Sequence, residues 1–150
     1  MTYDPPFRGK SNYDSNFVIV PFSKTYDEAL TLLVEARDYL SANRKREKFD
    51  VLSDNAIVQF REEMRMTTRL IRAMAWLLSV RAVEAGEIDW EEAVDSDDLM
   101  VDIKICIQDE RDRCLSTTPA LLSLMERAHS LYMRTARMEL QVAARHRPAD

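Results

Sequence analysis

Residues 66–88 read MTTRLIRAMAWLLSVRAVEAGEI, and this stretch decides what kind of fold the chain can form. Apolar residues recur in it at helical spacing, although arginines interrupt the pattern. Gly86 follows where a left-handed residue would end a helix, and Ser53 or Asp54 can cap the other end. At 1.5 Å per residue, about thirty residues give a helix roughly 45 Å long.

The preceding segment predicts a first helix that begins at a capping box. Thr25 can accept a hydrogen bond from the Glu28 amide, while the Glu28 side chain reaches back to the Thr25 amide. The predicted buried stripe of this helix is Tyr26, Leu30, Leu33, Arg37 and Leu40. The prolines and glycine before the box predict that residues 1–22 form an irregular N-terminal arm.

The last helix is predicted to begin at Thr118-Pro119, a cap residue followed by proline at the first helical position. Its predicted buried stripe is Leu121, Leu124, Met125, Ala128, Leu131, Tyr132, Thr135 and Met138. Between the long helices, Asp89 begins a second capping pattern and predicts a short helix. Residues 99–115 alternate like a strand, but a lone strand would have no partner, so another short helix is predicted there.

The composition favours an all-α fold. The chain contains only two glycines, and sheets joined by tight hairpins need glycine-rich turns. With 46% hydrophobic residues over 150 positions, a single core can form without disulfides. We therefore expect an antiparallel three-helix bundle with a long central helix and a short helical connector. This domain covers residues 23–146, and a short tail follows at 147–150.

The long helix has two unlike sides when its residues are placed at about 100° intervals. The side predicted to face the core carries Phe60, Met64, Leu70, Ile71, Met74, Leu77 and Leu78. The opposite side carries Arg61, Arg65, Arg69 and Arg72, followed by Trp76, Val80 and Val83. This second side therefore changes from basic to apolar along the helix.

The apolar half of the second side predicts an interface between two copies of the chain. Trp76, Val80 and Val83 would form an exposed apolar patch if the bundle left them uncovered. We expect a homodimer that pairs through these residues. The alternative is that the short helix around Trp90, or residues 99–107, covers them within one chain.

The basic half of the second side predicts a docking surface for an acidic partner. Arginines four residues apart repel one another on an isolated helix, and such a stripe would govern the association rate of an acidic protein. The predicted partner-docking residues are Arg61, Arg65, Arg69 and Arg72. The alternative is neutralisation within the fold, by the acidic connector over 87–102 or by Glu28, Glu35 and Asp38.

Charge and motif content argue against several classes of function. A net charge of −5 disfavours a general nucleic-acid binder, which needs a surplus of basic residues. Two lone cysteines suit a reducing compartment, and neither a signal peptide nor a membrane span is recognisable, so we expect a cytoplasmic protein. Nucleotide-binding, hydrolase and zinc-protease motifs are missing from the sequence. Isolated helical histidines such as His129 and His146 are usually surface or capping residues, so we expect no catalytic residue, cofactor or metal site.

Three segments together resemble a known family. YDEALTLLVEARDYL (26–40), RMTTRLIRAMAWLLSVRAVEAGEI (65–88) and PALLSLMERAHSLYMRTARMEL (119–140) are similar to the RcdA-like proteins of alphaproteobacteria, the regulators of CtrA degradation. The resemblance implies a dimeric three-helix adaptor, without enzymatic activity, that helps the ClpXP AAA+ protease select cell-cycle substrates. It also implies a response-regulator-like partner.

The residues themselves leave other functions open. A helical transcriptional or DNA-binding regulator is one alternative, and salt-dependent DNA binding would support it. A structural homodimeric interaction module and a small enzyme or metal-binding bundle are others.

Overall fold

Three long helices and a short helical connector make up the fold. The computed structural model describes residues 13–46, 54–94, 99–107 and 118–146. In chain order, the helices are α1 (Tyr13–Arg46), α2 (Asp54–Glu84), α3 (Trp90–Val94), α4 (Lys104–Ile107) and α5 (Pro119–His146), with a 3-10 turn at Met100–Asp102 before α4. Every regular element within the described ranges is helical, which confirms the predicted all-α bundle. α2 has the predicted length at 31 residues, but α1 is longer at 34.

α1 runs antiparallel to α2. Near the start of α1, the guanidinium of Arg81 lies over the ring of Tyr26, 4.5 Å from its centroid. Near the end of α1, the Asn43 amide donates to Glu63 Oε1 at 3.2 Å. Residue numbers therefore rise along one helix as they fall along the other.

α1 also runs antiparallel to α5. Arg134 pairs with Glu28 at 2.5 Å, and Arg127 pairs with Glu35 at 2.6 Å. α2 and α5 consequently run in the same direction, so the chain between them must return along the bundle. α3 and α4 lie on this return path and pack against both α2 and α5.

The beginning of α1 differs from the sequence-based prediction. The helix starts at Tyr13 and continues through Thr25, which is buried inside it. The predicted arm is therefore wrong over residues 13–22, as is the predicted helix start at Thr25; residues 1–12 lie outside the described part. The physical reason is Phe22, whose buried ring packs edge-on against Trp76 at 5.3 Å and extends the core stripe backwards.

The buried stripe of α1 lies one residue before the predicted stripe. Its members are Phe22, Thr25, Ala29, Leu32 and Ala36. Ala29 is fully buried, whereas Leu30, predicted to be in the core, is 46% exposed. Small alanine side chains let neighbouring helices approach closely, which agrees with the burial of Ala29 and Ala36.

The end of α2 has the predicted geometry. Gly86 adopts a φ of 75°, a left-handed conformation that glycine adopts without steric cost. The Gly86 amide donates to Val83 O at 3.0 Å, and the Glu87 amide donates to Ala82 O at 2.9 Å. These two bonds form a Schellman motif, which satisfies the last carbonyl groups of the helix.

Two predicted N-caps are also confirmed. Asp89 Oδ1 accepts from the Glu92 amide at 2.7 Å at the start of α3. Thr118 Oγ1 accepts from the Leu121 amide at 3.3 Å at the start of α5. The predicted core stripe of α5 is buried except for Met138, which is half-buried. Over residues 99–107 the predicted short helix is a 3-10 turn followed by α4, and the rest of that predicted segment lies outside the described residues.

Candidate interaction surface

The side of α2 that faces the core is not the predicted one. Its buried residues are Glu62, Arg65, Met66, Arg69, Leu70, Ala73, Trp76, Leu77 and Val80. Leu70 and Leu77 are buried as predicted. Phe60, Ile71 and Leu78 were predicted to join them, but they are 60%, 56% and 50% exposed. The predicted core face of α2 is therefore wrong for these residues, and also for Met64, which is 48% exposed.

Two of the four predicted docking arginines are buried. Arg65 Nη1 lies 3.2 Å from Glu62 Oε2, and both side chains are almost completely buried. Arg69 donates through Nε to the carbonyl oxygen of Cys106 in α4 at 2.6 Å. A buried guanidinium needs such partners because the loss of hydration is costly. Arg65 and Arg69 bind partners within the chain and are not available for docking, so the predicted four-residue docking stripe is wrong.

The acidic residues offered as counter-charges for that stripe have other partners. Glu28 and Glu35 of α1 pair with arginines of α5, and Asp38 pairs with its neighbour Arg37 at 2.9 Å. The hydrogen bond from Arg127 is the main cause that lowers the pKa of Glu35 below its usual value. The pairs of Glu28 and Glu35 join α1 to α5, whereas the Arg37–Asp38 pair lies within α1.

Trp76 and Val80 do not lie on a dimer surface. Trp76 is 6% exposed and packs against Phe22, and Val80 is 1% exposed. Phe22 also approaches Trp90 of the connector, with ring centroids 6.5 Å apart. The predicted interface is therefore wrong for Trp76 and Val80, because both are buried within the chain; the ring that packs against Trp76 is Phe22 of α1, which the alternative prediction did not name. Val83 is half-buried.

Buried polar groups attach the connector to α5. Glu139 Oε2 accepts from the Met100 amide at 2.8 Å, and the Tyr132 hydroxyl donates to the Met100 carbonyl at 2.7 Å. Burial is the main cause that raises the pKa of Tyr132 above its usual value, so the hydroxyl keeps its proton and remains a donor. The sequence analysis missed Glu139, although it stands four residues after Thr135 on the buried stripe of α5.

Most of the exposed residues along the middle of α2 are apolar. Between Ile57 and Val80, all of which the structure describes, the exposed residues are Ile57, Phe60, Arg61, Met64, Ile71, Arg72, Ala75 and Leu78. We call the large apolar members Ile57, Phe60, Met64, Ile71 and Leu78 the α2 outer face. Its first and last residues are 21 positions apart, which corresponds to about 32 Å of helix.

A sequence signal for the α2 outer face exists. Ile57, Met64, Ile71 and Leu78 recur every seven residues, the spacing of apolar residues in helices that pair with another helix. The same helix also carries a second apolar set, including Leu70 and Leu77, at adjacent positions. Periodicity cannot tell which of two adjacent apolar sets faces the core.

α1 extends this apolar surface on one side. Leu30 and Val34 are 46% and 41% exposed. Leu30 lies one helical turn after Tyr26, whose ring contacts Arg81 of α2, and Val34 lies one turn after Leu30. The contact between Arg81 and Tyr26 fixes the register of the two helices. With equal rise along both, Leu30 lies close to the level of Leu78, and Val34 close to that of Ile71.

Arginines border the α2 outer face on its other side. Arg61 lies one helical turn from both Ile57 and Met64, and Arg72 lies one turn from Ala75. Both arginines are exposed, and we call them the arginine edge. Arg61 also lies 3.5 Å from Glu62 Oε1 through its Nε, but its side chain remains 44% exposed. Two of the predicted docking residues thus keep a surface position, beside apolar residues that the prediction had placed in the core.

Comparison with known proteins identifies the family. A family model described as "Protein of unknown function (DUF1465)" matches residues 16–150. The chain belongs to this DUF1465 family. No curated protein and no solved structure matches the chain.

Two further features bear on the kind of site this DUF1465 protein contains. Within the described ranges, no group of three or more histidine, cysteine or acidic residues is arranged to hold a metal ion. None of the helices in those ranges is both long and apolar enough to cross a bilayer. The largest feature of the described surface that calls for a partner is the α2 outer face, because soluble proteins rarely expose a contiguous apolar surface of this kind without using it.

Proposed function

We propose that this DUF1465 protein is an RcdA-like, non-enzymatic adaptor of the cytoplasm that helps deliver cell-cycle regulatory substrates to the ClpXP AAA+ protease. The α2 outer face is the observation that supports the proposal. An adaptor acts by holding two proteins together, which raises the effective concentration of the substrate at the protease. It therefore needs a docking surface and no reaction centre.

The arrangement of the bundle suits this role. The connector is attached to α5 through Met100 and to α2 through Arg69, so one side of the α2–α5 pair is closed. The side of α2 that borders α1 keeps its apolar residues exposed. A rigid scaffold with one open apolar side reduces the entropy lost when a partner binds.

The predicted homodimer and the response-regulator-like partner remain part of the proposal. Any dimer must use contacts other than Trp76 and Val80, which are buried within the chain. Arg65 and Arg69 are also buried, so neither supports the DNA-binding alternative by contacting phosphates.

Reconstituted proteolysis tests the proposal. Purified ClpXP, the response-regulator-like partner and a candidate cell-cycle substrate are mixed with and without this protein, and the initial rate of substrate loss is measured. We expect the protein to raise this rate. We expect Ile71→Asp to abolish the increase, because it places a charge in the α2 outer face.

A matched control comes from α5. Leu140 is exposed to a similar degree, at 40%, but it lies on another helix, so Leu140→Asp should keep full stimulation. A wild-type protein that fails to accelerate the loss of any cell-cycle substrate, while the protease itself is active, would refute the adaptor function.

A further inference from the structure

We infer that the α2 outer face binds an amphipathic helix of the delivered substrate, and that the polar border of this helix beside the arginine edge is acidic. The inference deepens the proposed adaptor function and rests on it for the nature of the partner. It is carried by the spacing of the apolar residues and by the sign of the charges beside them.

The shape of the surface fits a helix. The seven-residue spacing of Ile57, Met64, Ile71 and Leu78 presents an apolar row about 32 Å long, which winds slowly around α2 by about 20° every seven residues. α1 runs beside this row and adds the exposed side chains of Leu30 and Val34. Two adjacent helices with apolar residues on both sides of their seam form a groove, the usual receptor for the apolar side of a third helix.

The charges on the α2 side of the groove select the kind of helix, since on α1 the exposed side chains of Arg37 and Asp38 pair with each other. Between Ile57 and Val80, where every residue is described, the exposed charged residues are Arg61 and Arg72. Glu62 is buried, and Glu63 is half-buried, accepting hydrogen bonds from Gln59 and Asn43. The arginine edge thus carries positive charge with no exposed carboxylate on the same stretch of α2. Complementary charge favours a partner with acidic residues at this border.

A second copy of α2 fits the groove less well. It would supply the same apolar row, but along this stretch it offers arginines and no exposed carboxylate. The arginine edge of each copy would then receive no counter-charge from the α2 outer face of the other. A substrate helix with an acidic border on the side of Arg61 and Arg72 matches both the apolar row and the arginines.

Two synthetic helical peptides test the inference against the full-length protein. Both carry leucine at the seven-residue positions facing the groove; one has glutamate along the border beside the arginine edge and the other has lysine at the same positions. Binding of the fluorescent peptides is followed by anisotropy at low and high salt. We expect the glutamate peptide to bind at least about tenfold more tightly than the lysine peptide at low salt. The difference should shrink at high salt because exposed charges are screened.

Variants of the protein separate the contribution of the apolar row to peptide binding from that of the arginine edge. We expect Ile71→Asp to lower the affinity for the glutamate peptide by at least about thirtyfold, since it introduces a charge into the apolar row. The double change Arg61→Glu with Arg72→Glu should reverse the preference between the two peptides. Leu140→Asp on α5 is the matched control and should change neither affinity. Circular dichroism of each variant confirms that it remains folded.

Three results would overturn the inference. One is equal affinity for the two peptides at low salt, and another is the absence of binding to both. The third is a dimer at micromolar concentration by analytical ultracentrifugation that Ile71→Asp converts to a monomer, because a second copy would then occupy the groove.

The outcomes also separate this inference from the proposed function. Selective peptide binding without any acceleration of proteolysis would refute the adaptor and leave the groove assignment standing. Acceleration of proteolysis that Ile71→Asp leaves unchanged would refute the groove assignment and leave the adaptor function standing.

Discussion

Replacing Leu70 and Ile71 separately with alanine tests which side of α2 faces the core. The two residues are adjacent and both aliphatic, yet Leu70 is 1% exposed and Ile71 is 56% exposed. Leu70→Ala removes buried methyl groups and leaves a cavity between α2 and its neighbours, which costs about 2 to 5 kcal/mol. Ile71→Ala removes partly hydrated atoms and introduces a better helix former, so we expect a change within about 0.5 kcal/mol.

Urea unfolding followed by circular dichroism measures both free energies. For a protein of this size, the loss expected for Leu70→Ala corresponds to a fall in Tm on the order of 10 °C, while Ile71→Ala should leave the midpoint nearly unchanged. Each variant is measured at two protein concentrations tenfold apart, because any association through Ile71 would make its stability depend on concentration. Equal losses for the two variants at both concentrations would contradict the orientation of α2 described here.

Three further substitutions test individual contacts. Gly86→Ala should destabilise the protein by about 1 kcal/mol in urea unfolding, because the added Cβ meets no atom within 4 Å but the φ of 75° is strained for alanine; an unchanged midpoint would contradict the left-handed end of α2. Tyr132→Phe should cost about 1 kcal/mol by removing the hydroxyl that donates to the buried Met100 carbonyl, which keeps a second donor in the Ile103 amide at 3.3 Å. Because the pKa of Tyr132 is raised in the folded state, the wild type should also lose stability as the pH rises above the usual tyrosine value near 10, and Tyr132→Phe should lose less over that range. Arg127→Ala should cost at most about 0.5 kcal/mol at neutral pH, since both partners are more than 40% exposed. The pKa of Glu35 is lowered, so this cost should vanish as the pH falls below the usual glutamate value near 4.3; a cost that persists in acid would show that Arg127 acts through packing instead.

Local signals in the sequence predicted the ends of several helices. The left-handed glycine after α2, the Asp89 cap of α3 and the Thr118-Pro119 start of α5 all depend on hydrogen bonds within a few residues. Such bonds form wherever the chain becomes helical, because the first and last turns leave backbone groups that need partners. The capping box at Thr25 is the exception. There the packing of Phe22 against Trp76 extends α1 past the local signal.

The buried side of α5 was also predictable, since its apolar residues form one stripe and its exposed side is polar. α2 has no such contrast. Its two adjacent apolar sets include Leu70 on one and Ile71 on the other, and the arginines on its remaining side suggested exposure to solvent. A prediction that places the broadest apolar side inward then buries the wrong residues.

The sequence by itself determined the helical class, the order of the long helices and most of their ends, because these follow from composition, periodicity and bonds between near neighbours. Only the tertiary structure decided which side of α2 is buried. The parallel course of α2 and α5 brings the connector back along the bundle, where its Cys106 carbonyl accepts from Arg69. Glu62 meanwhile pairs with Arg65 on the same side of α2. Because Arg65 and Arg69 have these partners inside the fold, their side of α2 is buried and the apolar row from Ile57 to Leu78 lies on the surface. The candidate interaction surface thus depends on contacts between residues far apart in the sequence, which local patterns do not encode.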